Sequence, residues 1–372
     1  MKPILTFLFI CSLVSCSHVF DGTYATAALD EKHVTFYPTY GYKEGDTWVI
    51  PMRVWVHERR GLVEKVLAKM AAFMGNLDSN EIDNFRLRIQ DFIADSESHE
   101  IVTFKFDNDP ENQAYRVQNG HETFPKTDMN GLIEGFMEIP VTKARELLSR
   151  QGSQDGWLTY HAVEKGYSGI GRVRLIESTG LSVISDIDDT VKITEVPAGL
   201  KVVVRNTFFR DFMAAPGMAK MYQEWHNASF HYVSGSPWQL YGPLSQFLFR
   251  GKGGFPEGTF HMKNVRKNPL SANSWEDLQG LVTNENATFE QKLAQISEIM
   301  QKFPERKFIL VGDSGEKDPE VYREIKKRFS DQVQEIRIRD VVNDREKNKS
   351  RLEGMTIIQA ATVIRGAAHF EN

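Results

Sequence analysis

From residue 180 onward, short apolar runs alternate with helical stretches, and that alternation restricts the second half of the chain to very few folds. The runs lie at 181–185, 230–233, 307–311 and 333–338, and helical patterns fall near 217–226, 239–249, 289–303 and 319–328. Apolar runs this short, bounded by turn residues, read as strands buried on both faces. Strands separated by helices build βαβ units and a parallel sheet. The expectation is an α/β fold, a three-layer doubly wound parallel sheet beginning near residue 179.

The first half carries a different period. Trp48, Ile50, Met52, Val54 and Val56 alternate with Val49, Pro51, Arg53, Trp55 and His57, as in a half-buried strand. Further strand-like runs lie at 101–106, 132–139, 157–163 and 172–176. Between them, Val63, Val66, Leu67, Met70 and Met74 form one helical stripe, and Ile82, Phe85, Ile89, Phe92 and Ile93 a second. This pattern predicts a β-sandwich-like domain over 22–178 with a helical insertion, preceding the α/β domain over 179–372. A chain of 372 residues that is 41% hydrophobic can bury two cores. A net charge of -5 argues against nucleic acid as an electrostatic partner.

Lys2 followed by an apolar stretch over 4–14 has the length of a signal-peptide core and is too short to span a bilayer. Leu13-Val-Ser-Cys16 resembles a bacterial lipoprotein signal, with residues 1–15 removed and Cys16 acylated. The expected protein is exported and anchored to a membrane of the cell envelope; the alternative is an ordinary secretory signal with an incidental cysteine. Cys11 and Cys16 are the only cysteines, so the mature chain would hold no disulfide.

Four chemical signals fall at the carboxyl ends of expected strands or on the helices beyond them. They are Asp186-Ile-Asp188-Asp-Thr190, Ser234, Lys292 at the expected start of a helix, and Gly312-Asp313-Ser-Gly315-Glu-Lys-Asp318. Carboxylates at the end of a buried strand are costly to desolvate. Ligands of open parallel sheets bind at that edge. A phosphate ester repels nucleophiles through its anionic oxygens, so its chemistry needs charge neutralisation and positioning. In that chemistry Asp186 would attack phosphorus and Asp188 would move the proton. Mg²⁺ held by Asp186, the backbone carbonyl of Asp188 and Asp313 would offset the repulsion. Ser234 and Lys292 would bind phosphoryl oxygens. Gly312 and Gly315 would permit tight turns where a Cβ would crowd the ligand.

The set resembles the haloacid dehalogenase superfamily, whose nucleophile motif is DxDx(T/V). The flanks are similar to the actin-patch-associated phosphatidate phosphatase family: Ser182-Val-Ile-Ser-Asp-Ile-Asp-Asp-Thr190, Tyr232-Val-Ser-Gly-Ser-Pro-Trp-Gln-Leu-Tyr241 and Phe308-Ile-Leu-Val-Gly-Asp-Ser-Gly-Glu-Lys-Asp-Pro-Glu-Val-Tyr322. A fainter likeness runs through Phe36-Tyr-Pro-Thr-Tyr-Gly41. The resemblance implies Mg²⁺-dependent conversion of phosphatidic acid to diacylglycerol, with a phospholipid at a membrane surface as partner. It makes Asp186 the nucleophile, Asp188 the acid and base, Ser234 and Lys292 phosphate ligands and Asp313 a metal ligand, with Asp318 supporting the metal.

Blander readings stand beside these. Asp-Asp-Thr190 and Asp318-Pro319 could simply cap helices. Ser236 rivals Ser234, and Lys263 rivals Lys292. The aromatic stretch 238–249, followed by Arg250 and Lys252, could line an acyl path, although packing on the sheet is the simpler expectation. His226, His231 and His261 lack metal-ligand spacing with a carboxylate. Other functions for the same residues are a periplasmic phosphomonoesterase of soluble esters, and a surface lipoprotein whose β-domain binds a partner.

Overall fold

The computed structural model describes residues 32–59, 61–120, 124–264 and 285–359. The signal segment and Cys16 lie outside the described residues. Ten strands of the first half are β1 (Lys32–Phe36), β2 (Thr39–Glu44), β3 (Thr47–Glu58), β4 (Asp95–Ser96), β5 (Thr103–Phe106), β6 (Tyr115–Arg116), β7 (Leu132–Pro140), β8 (Trp157–Ala162), β9 (Tyr167–Ser168) and β10 (Ile170–Leu175). They join into one hydrogen-bonded sheet in the order β6-β5-β8-β10-β2-β3-β1-β9, with β4 and β7 also pairing to β3. The sandwich-like expectation therefore meets a continuous sheet: the parallel pairing of β2 with β10 links what would be two layers. One core packs against it, with Ile50, Val54, Phe104, Leu158, Tyr160 and Val173 all fully buried.

The second half contains β11 (Leu181–Ser185), β12 (Ser229–Pro237), β13 (Gly258–Lys263), β14 (Lys307–Asp313), β15 (Val333–Asp340) and β16 (Thr356–Gln359). All five pairings are parallel, in the order β13-β12-β11-β14-β15-β16. Strand order reverses between β11 and β14, which opens a crevice beyond their carboxyl ends. Successive residues alternate between faces as the pleat requires. Val183, Ile309 and Val311 join one core, and Ile184, Phe308 and Leu310 the other. The second core is closed by Ile296 and Ile299 of the helix Glu285–Lys302, by Phe303 just beyond it, and by Val321 and Ile325 of the helix Asp318–Arg328.

The helical insertion does not fold back on its own sheet. Its helices Val63–Met74 and Ser79–Arg88 carry Leu67, Met70, Met74 and Phe85 into the core of the parallel-sheet half. They meet the chain just after β11, where Leu200–Val204 is α-helical and Arg205–Phe209 widens into a π turn. Phe85 stacks on Phe209 at 4.7 Å, and Glu81 takes a bidentate pair from Arg205 at 2.6 and 2.7 Å. Arg88 donates to the Thr207 and Arg210 carbonyls at 3.0 and 2.6 Å.

The Phe36–Gly41 motif forms a second junction. Tyr37 packs on Trp238 at 4.3 Å, and Tyr40 lies edge-on to His231 and Phe303. A Cβ at Gly41 would come 2.6 Å from Leu175, so close approach of β2 to β10 requires glycine there. The aromatic stretch after β12 follows its packing expectation: Trp238, Leu240, Leu244, Phe247 and Leu248 are buried in the core.

Candidate active site

The crevice at the strand reversal gathers the acids. Asp186 follows β11, and its N–H donates to the Val311 carbonyl of β14 at 2.9 Å. Asp313 ends β14, and Asp318 opens the next helix behind Pro319, where a carboxylate suits the helix dipole. One carboxylate oxygen from each of Asp186, Asp313 and Asp318 falls within 4.8 Å of the others, and all three residues are fully buried. Gly312 makes this possible: a Cβ there would sit 2.4 Å from Asp318 Oδ2 and 2.7 Å from Tyr322. The crowding is with Asp318 and Tyr322, which is a different reason from the ligand approach expected of it.

Lys292 answers the cluster. Its ammonium lies 2.8 Å from Asp186 Oδ1 and 2.6 Å from Asp318 Oδ1. Its helix begins at Glu285, so Lys292 reaches in from the interior of the helix rather than from its start. Burial pushes the Asp186 carboxyl well above its ordinary range, with Lys292 pulling the other way. Burial and the neighbouring Asp318 raise Asp313 in the same sense. Asp186 Oδ2 and Asp313 Oδ2 are buried with no hydrogen-bond partner. A lone ammonium beside three buried carboxylates leaves excess negative charge, and orphaned oxygens of this kind fit a hard divalent cation.

Asp188 turns away from that cluster. Its Oδ1 meets Lys192 Nζ at 2.8 Å and accepts from Thr194 Oγ1 at 2.6 Å. Its Oδ2 accepts from Ser236 Oγ at 2.8 Å and from Ser234 Oγ at 3.3 Å. Burial pushes the group up, yet Lys192 and these hydroxyls outweigh it and hold the carboxyl at about 2. Asp186 and Asp188 thus occupy opposed environments, as two carboxylates need for separate roles.

Lys192, Thr194 and Glu316 carry no role in the sequence reading, and Lys192 and Thr194 are the largest omission. The chain doubles back at Asp189, which has a left-handed φ of 54°. The Asp189 carboxylate collects the N–H groups of Thr194, Glu195 and Val196 at 2.6 to 2.8 Å. The acidic turn is the sole sequence signal for this reversal. Glu316 lies 3.7 Å from Lys292. Both candidate serines reach Asp188, whereas among the described residues it is Lys292, not Lys263, that pairs with the carboxylates. His231 and His261 pair with Thr259 at 2.8 and 2.9 Å, in keeping with packing roles.

A cleft of about 70 Å³ adjoins Asp188. Asp188, Thr194 and Ser236 form part of its lining, and Val203, Val204, Phe208 and Leu240 form much of the rest.

Fold and site together define an α/β protein with a buried acid cluster at the reversal point of a parallel sheet. Residues 181–340, from the first residue of β11 to the last of β15, match the family described as phosphatidate phosphatase APP1, catalytic domain. The chain is similar to Phosphatidate phosphatase APP1 of Saccharomyces cerevisiae, 34% identical over 165 residues, covering 43% of this chain and 26% of the yeast protein. It is also similar to an uncharacterized protein of Schizosaccharomyces pombe, 29% identical over 181 residues, 47% of this chain and 27% of that one. The chain spans about a quarter of the length of these curated relatives. A carbohydrate esterase of known structure overlays at a TM-score of 0.17 and 10% identity, covering 82% of this chain and 88% of its own, a likeness too faint to carry any argument.

Proposed function

We propose that this protein is a haloacid-dehalogenase-like, Mg²⁺-dependent phosphatidate phosphatase. The observation that carries the reading is the coincidence of the match over 181–340 with a buried triad of Asp186, Asp313 and Asp318, two of whose oxygens have no partner. The triad and the main chain at Asp188 would hold Mg²⁺. When bound, the ion neutralises phosphoryl charge and lets the anionic ester approach.

The protein's own groups account for the remaining chemistry. Asp186 Oδ2, free of hydrogen bonds, forms the bond to phosphorus as the ester P–O bond breaks, leaving an aspartyl-phosphate. The leaving alkoxide takes a proton from Asp188. Asp188 is a carboxylate in the resting site, and a phosphate dianion placed beside it raises its pKa so that it can carry that proton. In the second half-reaction Asp188 accepts a proton from water, whose oxygen attacks phosphorus and releases phosphate with Asp186 regenerated. Lys292 orients Asp186 through Oδ1 and supplies positive charge at the phosphoryl group. Ser234 and Ser236 hold Asp188 in position and offer hydroxyls to phosphoryl oxygens.

Phosphate release from phosphatidic acid in mixed micelles and from glycerol 3-phosphate, with Mg²⁺ or with chelator, tests the reading. Metal-dependent release that favours the lipid is expected, and Asp186→Asn should abolish it. Undiminished turnover in chelator, or in that variant, would sink the assignment. Acylation of Cys16 would bring the site to the bilayer; no helix among the described residues is long and apolar enough to cross a membrane. Cys16→Ser should then shift the protein out of the membrane fraction; a variant fractionating like wild type refutes the anchor.

A further inference from the structure

We infer that the cleft beside Asp188 is the seat of a single hydrocarbon chain of the leaving alcohol, and that Val203, Val204, Phe208 and Leu240 set the length of chain accepted. The inference rests on the phosphatase reading and adds to it where the substrate's apolar part lies.

The chemistry of the lining selects the occupant. Val203, Val204, Phe208 and Leu240 are each less than a tenth exposed, so they form a fixed apolar wall. No lysine, arginine or histidine lines the cleft among the described residues, while Asp188 and Glu316 do. Beyond Asp188 an anionic group would find no cation along the apolar wall, whereas an uncharged chain needs none. The polar side carries Asp188, Thr194 and Ser236, and in the proposed reaction Asp188 protonates the ester oxygen of the leaving alcohol. A chain attached to that oxygen therefore begins at Asp188 and can run along the valines. Arg250 and Lys252 are absent from this lining.

The π turn accounts for the wall. Its Arg210 N–H closes on the Arg205 carbonyl at 2.9 Å, one residue wider than an α turn. π turns of this sort recur at functional sites. Thr207 and Phe208, both within the widened turn, line the cleft.

Two series of ligands separate this inference from the reading beneath it. Turnover of glycerol 3-phosphate and its butanoyl, hexanoyl and octanoyl esters, kept monomeric with Mg²⁺ present, reads chain length through chemistry. Titration calorimetry with ethyl-, butyl-, hexyl- and octylphosphonate, which have no ester bond to break, reads it through binding alone. Each added methylene should tighten binding by up to about fourfold until the wall is filled, and kcat/KM should follow. Val203→Phe should shorten the chain at which the gain stops, and the isosteric Val204→Thr should flatten the slope, each judged against that variant's own shortest ligand.

Equal affinities for ethyl- and octylphosphonate in wild type would overturn the inference, as would wild-type slopes in both variants. Chain-dependent phosphonate binding with no phosphate release from any ester would instead overturn the phosphatase reading and leave the cleft assignment standing. Phosphate release indifferent to chain length would do the reverse.

Discussion

Lys192 holds its ammonium 2.8 Å from Asp188 Oδ1, both groups buried on a turn that doubles back within four residues. The pair fixes the charge of Asp188. Lys192→Met would remove the main force opposing burial, so the Asp188 carboxyl should rise from about 2 to above the ordinary carboxylate range. Its ionised form is the one that accepts a proton from water in the second half-reaction, so the acid limb of the kcat profile should move to higher pH. An unmoved limb on a soluble phosphate ester would detach Lys192 from the proton chemistry.

Asp313 is the member of the triad with an orphaned oxygen and, among the described residues, no cation in contact. Because its folded pKa is raised, its ionised form weakens the fold at neutral pH. Asp313→Asn keeps an acceptor for the Gly315 N–H, now at 2.6 Å from Oδ1. In chelator the variant should melt no lower than wild type. Wild type should gain about 2.7 kcal/mol from Mg²⁺ at a hundred times its dissociation constant, and the variant should lose most of that gain. Thermal melts with and without Mg²⁺ check this; an intact metal response in the variant would remove Asp313 from the site.

Acid should loosen the first half above the pH at which ordinary exposed carboxylates titrate. Burial, helped by His33 and Arg59, depresses His57 to about 3, and its ring stacks on Trp55 at 3.7 Å. A histidine with a depressed folded pKa contributes stability that is present above about 6.5 and lost as pH falls toward 3. Between pH 7.5 and 5 the linkage amounts to about 2 kcal/mol. His57→Phe retains the stacking and lacks the titration, so its melting temperature should drop less over that interval. Parallel declines for the two proteins would place the acid sensitivity elsewhere.

Arg306 ties the segment between the two halves. It donates to Ser182 Oγ at 3.0 Å, to the Glu177 carbonyl at 2.8 Å and to the Leu181 carbonyl at 2.5 Å, with a further bond to the Thr179 carbonyl. Arg306→Ala would strand these acceptors in a buried setting, at a cost of about 3 kcal/mol. Urea unfolding should show the loss, and a change under 1 kcal/mol would mean that water replaces the guanidinium.

Much of this arrangement was legible in the residues, and the gaps have physical causes. Runs such as 181–185 and 307–311 announce central strands because both faces are buried. The edge strands β13 and β16 went unseen: Gly258, His261 and Lys263 break the apolar run, and Thr356 opens a strand with one neighbour. Asp186, Asp313 and Asp318 were visible through their place after strands. Lys192 and Thr194 were not, because their approach to Asp188 depends on the left-handed φ of Asp189, which three polar letters do not reveal. The stripe of Leu67, Met70 and Met74 correctly signalled a buried helix face. Periodicity says nothing about what covers such a face, and here the cover belongs to the other half of the chain.

Glu81 and Arg88 grip the π turn from outside the matched span 181–340. Reactivity and the bracing of the proposed cleft wall are consequently encoded in separate stretches of polypeptide, although the wall residues themselves lie within 181–340. An insertion of different length or shape between β3 and β5 would re-seat Thr207 and Phe208 while leaving Asp186, Asp313 and Lys292 in place. The two properties can therefore drift independently, and grafting a foreign helical hairpin onto this scaffold offers a route to altered substrate range without redesigning the reacting centre.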